Sequence, residues 1–192
     1  MKKIPTLFRR VFEDHKVVDI TPDVPRWLQW VMRGEGYPTV KMDGACCAII
    51  NGKFYKRFDA KQGKPVPQGA IPCCDPDSVT GHWPHWIPVS DKNPADRWFI
   101  AAYNNTYCPT DGTYEAIGFH FQGNPYHMKY DILEPHGCRV IKDLDRSFAG
   151  INNYLTEHNI EGIVFWKDDK PVCKIKRSDF GLPWGQRERK RK

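Results

Sequence analysis

The dipeptide Asn51-Gly52 places the strongest constraint on how this chain folds, because it separates two strand-like runs at residues 45–50 and 53–58. Both residue types tolerate the positive φ angles that a two-residue type I′ turn requires. We therefore predict an antiparallel hairpin over these two runs. A second hairpin is predicted at residues 162–176, where Lys167-Asp168-Asp169-Lys170 separates two further strand-like runs.

The remaining pattern mixes helices with further strands. Residues 146–158 carry apolar side chains at helical spacing, with Asp145 or Ser147 as the N-cap. An earlier helix is predicted with Thr21 or Asp23 as its cap and with Gly34 and Gly36 at its end. One face of it carries Val24, Trp27, Leu28 and Val31. Further strand-like stretches lie at residues 98–103, 113–121 and 130–133, and residues 61–97 are predicted to form a long ordered loop region with short strands or turns. The expected fold class is α+β with mostly antiparallel sheets.

Chain length and net charge bear on the number of domains and on the class of binding partner. The 192 residues, 40% of them hydrophobic, predict a single domain over residues 1–184 and a basic, mobile tail at residues 185–192. The net charge of +6 favours a polyanionic partner whose binding would depend on salt. A solvated basic surface explains the same charge, so composition alone leaves the partner open.

The cysteines bear on the compartment and on metal binding. The chain has seven of them, and its first ten residues contain no apolar signal core. No run approaches the ~18 apolar residues of a membrane span. These features predict a reducing intracellular location, cytoplasmic or nuclear, with free thiols and no membrane. Buried thiols are the favoured interpretation, while Cys46-Cys47, Cys73-Cys74, His82 and His85 leave a structural zinc as an alternative.

Three short motifs carry the candidate chemistry: Lys41-Met42-Asp43-Gly44, Glu161-Gly162-Ile163-Val164 and Lys174-Ile175-Lys176. Strand alternation places both lysines of the third motif on one face. Neighbouring cations favour the neutral amine that a nucleophilic lysine needs, and a carboxylate near phosphates usually holds Mg²⁺. Each motif alone is an ordinary turn or edge strand, but their combination in this order predicts one phosphate-handling site.

The motif order resembles that of the covalent nucleotidyltransferases, the superfamily of polynucleotide ligases and mRNA-capping guanylyltransferases. A finer resemblance, to the small ATP-dependent 5′-to-3′ RNA ligases typified by a vertebrate enzyme, covers most of residues 35 to 184. It extends to loop segments as well as catalytic ones, namely Arg57-Phe58-Asp59-Ala60-Lys61, residues 81–89, Glu115-Ala116-Ile117-Gly118, Gly123-Asn124-Pro125-Tyr126 and Pro135-His136-Gly137.

The resemblance implies a nucleotidyltransferase core and roles for individual residues. Lys41 would attack ATP, with Lys174 and Lys176 contacting phosphates and Glu161 holding Mg²⁺ or Mn²⁺. The remaining nucleotide contacts would come from Val40, from Arg57 at the ribose or 5′-phosphate and from Glu115 at the ribose hydroxyls. Adenine binding also needs an aromatic or apolar side chain, for which Phe119, Tyr126 and Tyr130 are the candidates. We favour Tyr130, because it lies on the strand that follows the Glu115 strand.

The implied reaction has three steps: AMP transfer to Lys41, AMP transfer to an RNA 5′-phosphate, and sealing by an RNA 3′-hydroxyl. No obligate protein partner is implied. Sixteen residues follow Lys176, too few for an OB-fold, so a minimal ligase is expected rather than a capping enzyme. A DNA or nick ligase with the same chemistry, and a non-catalytic module that binds RNA ends, remain the alternatives.

Overall fold

Antiparallel strand pairing dominates the computed structural model, which describes residues 3–14 and 16–185. The strands are β1 (Arg9–Glu13), β2 (Lys16–Thr21), β3 (Tyr37–Lys41), β4 (Ala45–Ile50), β5 (Lys53–Lys61), β6 (Ile71–Pro72), β7 (His82–Pro88), β8 (Gly112–Ile117), β9 (Ile132–Pro135), β10 (Gly162–Lys167) and β11 (Lys170–Lys176). The helices are α1 (Gln29–Met32), α2 (Arg97–Asn104) and α3 (Phe148–Glu157). Antiparallel sheets combined with helices confirm the α+β prediction.

The described chain divides into two compact units. We call residues 43–136 the central unit and residues 4–42 together with 137–185 the split unit. The single domain predicted over residues 1–184 spans both units and stays a prediction. Apart from Gly185, the predicted basic tail lies outside the described residues.

The split unit is built on a three-stranded sheet of order β11-β10-β3, with β1 and β2 forming a separate antiparallel ribbon. One face of this sheet, carrying Ile163, Phe165 and Ile175, packs into a core that includes Ile151 and Leu155 of α3. These five side chains are fully buried. Burial of that face leaves the alternate residues of each strand on the opposite face, where the motif lysines Lys41, Lys174 and Lys176 lie.

The central unit contains a six-stranded sheet of order β6-β7-β5-β4-β8-β9. Helix α2 supplies Ala102, which packs with Cys47 and Tyr114 on one face of the sheet. A second, smaller cluster lies around Trp86 and Ala48, with Cys46 packed against it. Because Cys46 and Cys47 are consecutive strand residues, these two clusters lie on opposite faces of the sheet.

Both predicted hairpins and the later helix are confirmed. Asn51 and Gly52 have φ angles of 50° and 70°, as a type I′ turn requires. β10 and β11 pair antiparallel across the second turn. Helix α3 begins after Ser147, whose side chain accepts a hydrogen bond from the Gly150 N–H at 3.0 Å. Local turn and cap chemistry was therefore sufficient to place these elements.

Two predicted elements are wrong in type or extent. Residues 98–103 belong to helix α2, which follows a 3₁₀ turn at Pro94–Asp96 capped by the Asn93 side chain. A short apolar run fits a strand or a buried helix equally, and the cap decided between them. The early helix is reduced to a 3₁₀ turn at Arg26–Leu28 and the single turn of α1, and Trp27 is 58% exposed rather than on the buried face.

The Pro-rich region contains more regular structure than expected. Strand β7 pairs with β5 over seven residue pairs, and β6 adds to its other side. The strands predicted at 113–121 and 130–133 are both observed, but β8 is shorter (Gly112–Ile117) and β9 is shifted by two residues (Ile132–Pro135). Within the described residues, no helix has the length and apolar character needed to cross a membrane.

Candidate active site

Glu161 joins two of the predicted site lysines in the split unit. Lys41 Nζ donates a hydrogen bond to Glu161 Oε2, and Lys176 Nζ lies 3.9 Å from Glu161 Oε1. Lys41 and Lys176 are partly exposed, at 23% and 33%, whereas the Glu161 side chain is largely buried, at 11%. One largely buried carboxylate thus neutralises two amines that remain accessible to solvent.

Sheet register explains why these side chains meet. Gly162 pairs with Lys41 on one side and with Lys176 on the other, so both lysines flank one glycine in a single row across the sheet. Directly paired residues point to the same face. A Cβ at Gly162 would lie 2.9 Å from Lys176 Cα and still closer to the Ile175 carbonyl oxygen. The glycine therefore permits the close strand approach that brings the lysines to one carboxylate.

Lys174 lies on the same face, one row further along the sheet. It pairs with Val164, which in turn pairs with Thr39. Its N–H donates to the Pro5 carbonyl at 3.0 Å, and its carbonyl accepts from the Leu7 N–H at 2.8 Å. Ile175 lies fully buried on the opposite face. The predicted alternation of the Lys174-Ile175-Lys176 motif is therefore confirmed.

Arg177 holds the backbone that carries Glu161, a role that the sequence analysis missed. Its N–H donates to the Glu161 carbonyl at 3.0 Å. Its guanidinium donates to the Leu155 carbonyl and, at 2.8 Å, to the His158 carbonyl, which ties the end of α3 to the start of β10. An arginine directly after the Lys174-Ile175-Lys176 strand was the available signal, but nothing local indicated its partners.

In the central unit, the side chain of Glu115 forms a cluster with those of His136 and Cys46, a grouping that was not predicted from the sequence. His136 Nε2 lies 2.8 Å from Glu115 Oε2, and both side chains are largely buried, at 16% and 13% exposure. Cys46 pairs directly with Glu115 across β4 and β8. Burial, reinforced by the Glu115 charge, raises the pKa of the Cys46 thiol to about 12. The motif Pro135-His136-Gly137 was noticed in the sequence, but its histidine was assigned no function.

Arg57 shares the sheet face of this cluster. Lys56 pairs with Cys47, so strand alternation turns the neighbouring Arg57 to the face of Cys46 and Glu115. The Arg57 Nε–H donates to Asp59 Oδ1 at 2.8 Å, and its side chain is 20% exposed. This face of the central unit therefore combines a carboxylate and a guanidinium, two groups suited to hydroxyl and phosphate contacts.

The aromatic candidates differ in their surroundings. Tyr130 and Phe119 are each 60% exposed, and Tyr130 precedes β9 rather than lying on it, which corrects its predicted placement. Tyr126 is partly buried, and its hydroxyl accepts a hydrogen bond from the Asp43 N–H at 2.6 Å. Its role as a hydrogen-bonding support for the Lys41 motif was not foreseen. The assignment of Tyr130 to adenine stacking stays a prediction.

Val40 is half-buried against the core of the split unit. Its N–H donates to the Arg139 carbonyl at 2.9 Å. Lys41, Val40, Glu161, Lys174 and Lys176 thus belong to the split unit, whereas Arg57, Glu115 and Tyr130 belong to the central unit. The predicted site residues are therefore divided between the two units.

Comparison with known proteins gives a consistent but distant relationship. No protein-family model matches the chain. It is similar to proteins named RNA ligase 1 from Pongo abelii, at 25% identity over 222 aligned residues, 77% of this chain and 68% of the relative. It is also similar to RNA ligase 1 of Rattus norvegicus, at 27% over 76% of this chain and 67% of the relative, and of Danio rerio, at 27% over 67% and 46%. These similarities support a distant relationship with RNA ligases.

Proposed function

We propose that the chain is an ATP-dependent RNA ligase that joins RNA 5′-phosphate and 3′-hydroxyl ends through a lysyl-AMP and an adenylylated RNA. The observation that carries this proposal is the row Lys41–Gly162–Lys176 with Glu161 between the two amines. The similarity to proteins named RNA ligase 1 supports the choice of RNA ends as the substrate.

In the first step, the neutral Lys41 amine attacks the α-phosphorus of ATP. An N–P bond forms, the P–O bond between the α-phosphorus and the bridging oxygen breaks, and pyrophosphate leaves. The amine must first give up a proton to solvent or to Glu161, with which it is hydrogen-bonded. Lys176, on the same sheet face, adds positive charge that would stabilise the phosphates.

Glu161 is suited to hold the divalent cation that such a reaction uses. Its carboxylate oxygens face two amines, and its side chain keeps an exposure of 11%. Mg²⁺ typically binds one or two carboxylates together with substrate phosphates and waters, and Mn²⁺ takes similar oxygen ligands. When bound, the ion would supply charge neutralisation for the triphosphate. Its arrival would also release Glu161 from the lysines, since the carboxylate then has a stronger partner.

The central unit is proposed to bind the nucleoside. Glu115 would accept hydrogen bonds from the ribose hydroxyls, because its carboxylate is kept in place by His136. Arg57, on the same sheet face, would contact the ribose or the 5′-phosphate. Tyr130 would stack on the adenine. Val40, whose side chain packs against the core on the opposite face from Lys41, would contact the nucleotide through its backbone. The roles of Arg57 and Glu115 rest on the motif resemblance, and that of Tyr130 rests on its position after the strand that carries Glu115.

The second and third steps transfer AMP to the RNA 5′-phosphate and then displace it by the RNA 3′-hydroxyl. Both are phosphoryl transfers, for which positioning and charge neutralisation supply most of the catalysis. Lys174, one row along the sheet from Lys176, is proposed to contact phosphates during these steps.

The test is intact-mass spectrometry after incubation with ATP and Mg²⁺. We expect a gain of about 329 Da, one AMP, on the wild-type chain and none on Lys41→Ala, because the phosphoramidate needs the lysine amine. Lys170→Ala, an exposed lysine on the same hairpin, is the matched control and should keep the adduct. Glu161→Gln should slow adduct formation at least ~100-fold, since the carboxylate–lysine arrangement and the cation ligand are both lost.

An adduct that persists in Lys41→Ala would overturn the lysine assignment. Prior adenylylation in the purified protein is recognised from its starting mass and removed with pyrophosphate. Protein that forms the adduct is then offered 5′-phosphorylated RNA and DNA with matched 3′-hydroxyl ends. Sealing of DNA alone would replace the RNA ligase proposal with the DNA ligase alternative, and RNA binding without any adduct would favour the non-catalytic module.

A further inference from the structure

We propose that Cys46, Glu115 and His136 form a binding site for a thiophilic divalent cation of the Zn²⁺ type. Their candidate ligand atoms all lie within 4.8 Å of one another. The three residues come from β4, from β8 and from the position after β9. All belong to the central unit, so its sheet alone assembles the cluster.

Sheet hydrogen bonding fixes this arrangement. Cys46 and Glu115 form a direct cross-strand pair, so their side chains share one face. The His136 N–H donates to the Thr113 carbonyl at 3.0 Å, which anchors the imidazole beside the same strand as Glu115. Cys46 and Glu115 lie on paired strands and His136 directly follows β9, so backbone hydrogen bonds hold each donor in place, as expected of a preformed site.

The donor set selects the metal. A thiolate, an imidazole and a carboxylate are typical ligands of Zn²⁺, whereas Mg²⁺ prefers oxygen ligands alone. Metal–ligand bonds of about 2.0–2.3 Å place the donors of a tetrahedral ion roughly 3.3–3.8 Å apart. The widest pair of donors therefore needs to close by about 1–1.5 Å, while His136 Nε2 and Glu115 Oε2, now 2.8 Å apart, must open by about 0.5 Å. Side-chain rotation can supply both changes, and water would complete the coordination.

His136 presents Nε2 to the cluster, where it contacts Glu115, while its Nδ1 is buried with no hydrogen-bond partner among the described residues. An ion bound among the three donors would take Nε2, with the imidazole proton on Nδ1. Binding displaces the Cys46 thiol proton to solvent as the metal–thiolate bond forms.

Occupancy of this site has a consequence that rests on the proposed function. Glu115 is the residue proposed to accept hydrogen bonds from the ribose hydroxyls. A cation held by its carboxylate would exclude the ribose, so Zn²⁺ should inhibit adenylylation by competing with ATP. The metal site itself does not depend on this assignment.

The first experiment uses metal-free wild-type protein without nucleotide. Titration with Co²⁺ should produce a thiolate-to-cobalt charge-transfer band, which one equivalent of Zn²⁺ then removes. Cys46→Ser should abolish the band, and His136→Gln should weaken Zn²⁺ binding at least ~100-fold, as loss of one of three protein ligands implies. Cys108→Ser, which removes an exposed thiol elsewhere in the central unit, is the matched control and should bind as the wild type does. Circular dichroism confirms that each variant is folded.

The proposal fails if Cys46→Ser and His136→Gln bind Zn²⁺ as tightly as the wild type, or if the band depends on Cys73 or Cys74 instead. It also fails if folded wild-type protein gives no band. Adenylylation is then measured with and without Zn²⁺ in each variant. Metal binding without inhibition would support the site and refute the ribose role of Glu115, whereas an absent adduct in all samples would refute the ligase proposal and leave the metal result standing.

Discussion

Replacing Gly162 by alanine tests whether close strand approach places the reactive lysines. The new Cβ would lie 2.9 Å from Lys176 Cα and closer to the Ile175 carbonyl oxygen, and both atoms belong to the backbone. Neither can rotate away, so β10 and β11 must separate by roughly 1 Å to restore ordinary contact distances. Overpacking of this kind destabilises a fold by about 1–3 kcal/mol.

The same displacement carries Lys176 away from Glu161, to which its amine lies 3.9 Å in the wild type. A misplacement of about 1 Å lowers a rate by ~100-fold when the reaction depends on positioning. We therefore expect Gly162→Ala to lower the melting temperature by about 4–8 °C, from ~2 kcal/mol in a chain of this length, and to slow adenylylation by ~100-fold.

The assays are thermal unfolding and single-turnover adduct formation followed by intact mass. Gly52→Ala is the matched control, because its Cβ meets no atom within 4 Å while its φ of +70° is strained for alanine. It should lose about 1 kcal/mol of stability yet keep the adenylylation rate. A Gly162→Ala protein that is destabilised but adenylylates at the wild-type rate would refute the argument that sheet register positions the lysines.

Two further changes follow from the contacts of individual side chains. Arg177→Lys should lower the free energy of unfolding by ~2 kcal/mol, measured by urea titration, because one ammonium cannot replace guanidinium bonds to the Leu155, His158 and Pro183 carbonyls; an unchanged urea midpoint would contradict this. Burial raises the pKa of Cys46 from 9.0 to about 12, so at pH 8 its thiolate population should be ~1,000-fold below that of an unperturbed thiol and should rise only as the pH approaches 12. Iodoacetamide labelling followed by peptide mass spectrometry should therefore modify exposed Cys108 well before Cys46, and the reverse order would contradict the buried placement.

The elements that were predicted correctly are those whose signals act over a short stretch of sequence. The Asn51-Gly52 turn and the Ser147 cap act within a few residues, and both were predicted correctly. Residues 98–103 were assigned to the wrong type of element because a six-residue apolar run does not distinguish a strand from a buried helix. The Asn93 cap and Pro94, which favour a helix start, stand just before that run and were not used.

Long-range pairing lay beyond what periodicity can predict. Alternation placed Lys174 and Lys176 on one strand face, but it did not show that β10 lies between β3 and β11. That order makes Glu161, at the entry of the middle strand, the shared partner of lysines from both neighbours. In the same way, the pairing of β4 with β8 brought Cys46 to Glu115, which no sequence spacing indicated.

The shared carboxylate connects structure to the proposed chemistry. An isolated ammonium pair on one sheet face would repel, so Glu161 stabilises the resting arrangement of Lys41 and Lys176. The same hydrogen bond to Glu161 occupies the Lys41 amine, which must lose a proton before it can attack phosphorus in the proposed reaction. In the proposed reaction, Glu161 would bind the divalent cation and Lys176 the phosphates, which would free Lys41 to act on the α-phosphate. Loss of the Glu161 charge should therefore impair the reaction, because loss of the cation ligand outweighs release of the Lys41 amine from its resting partner.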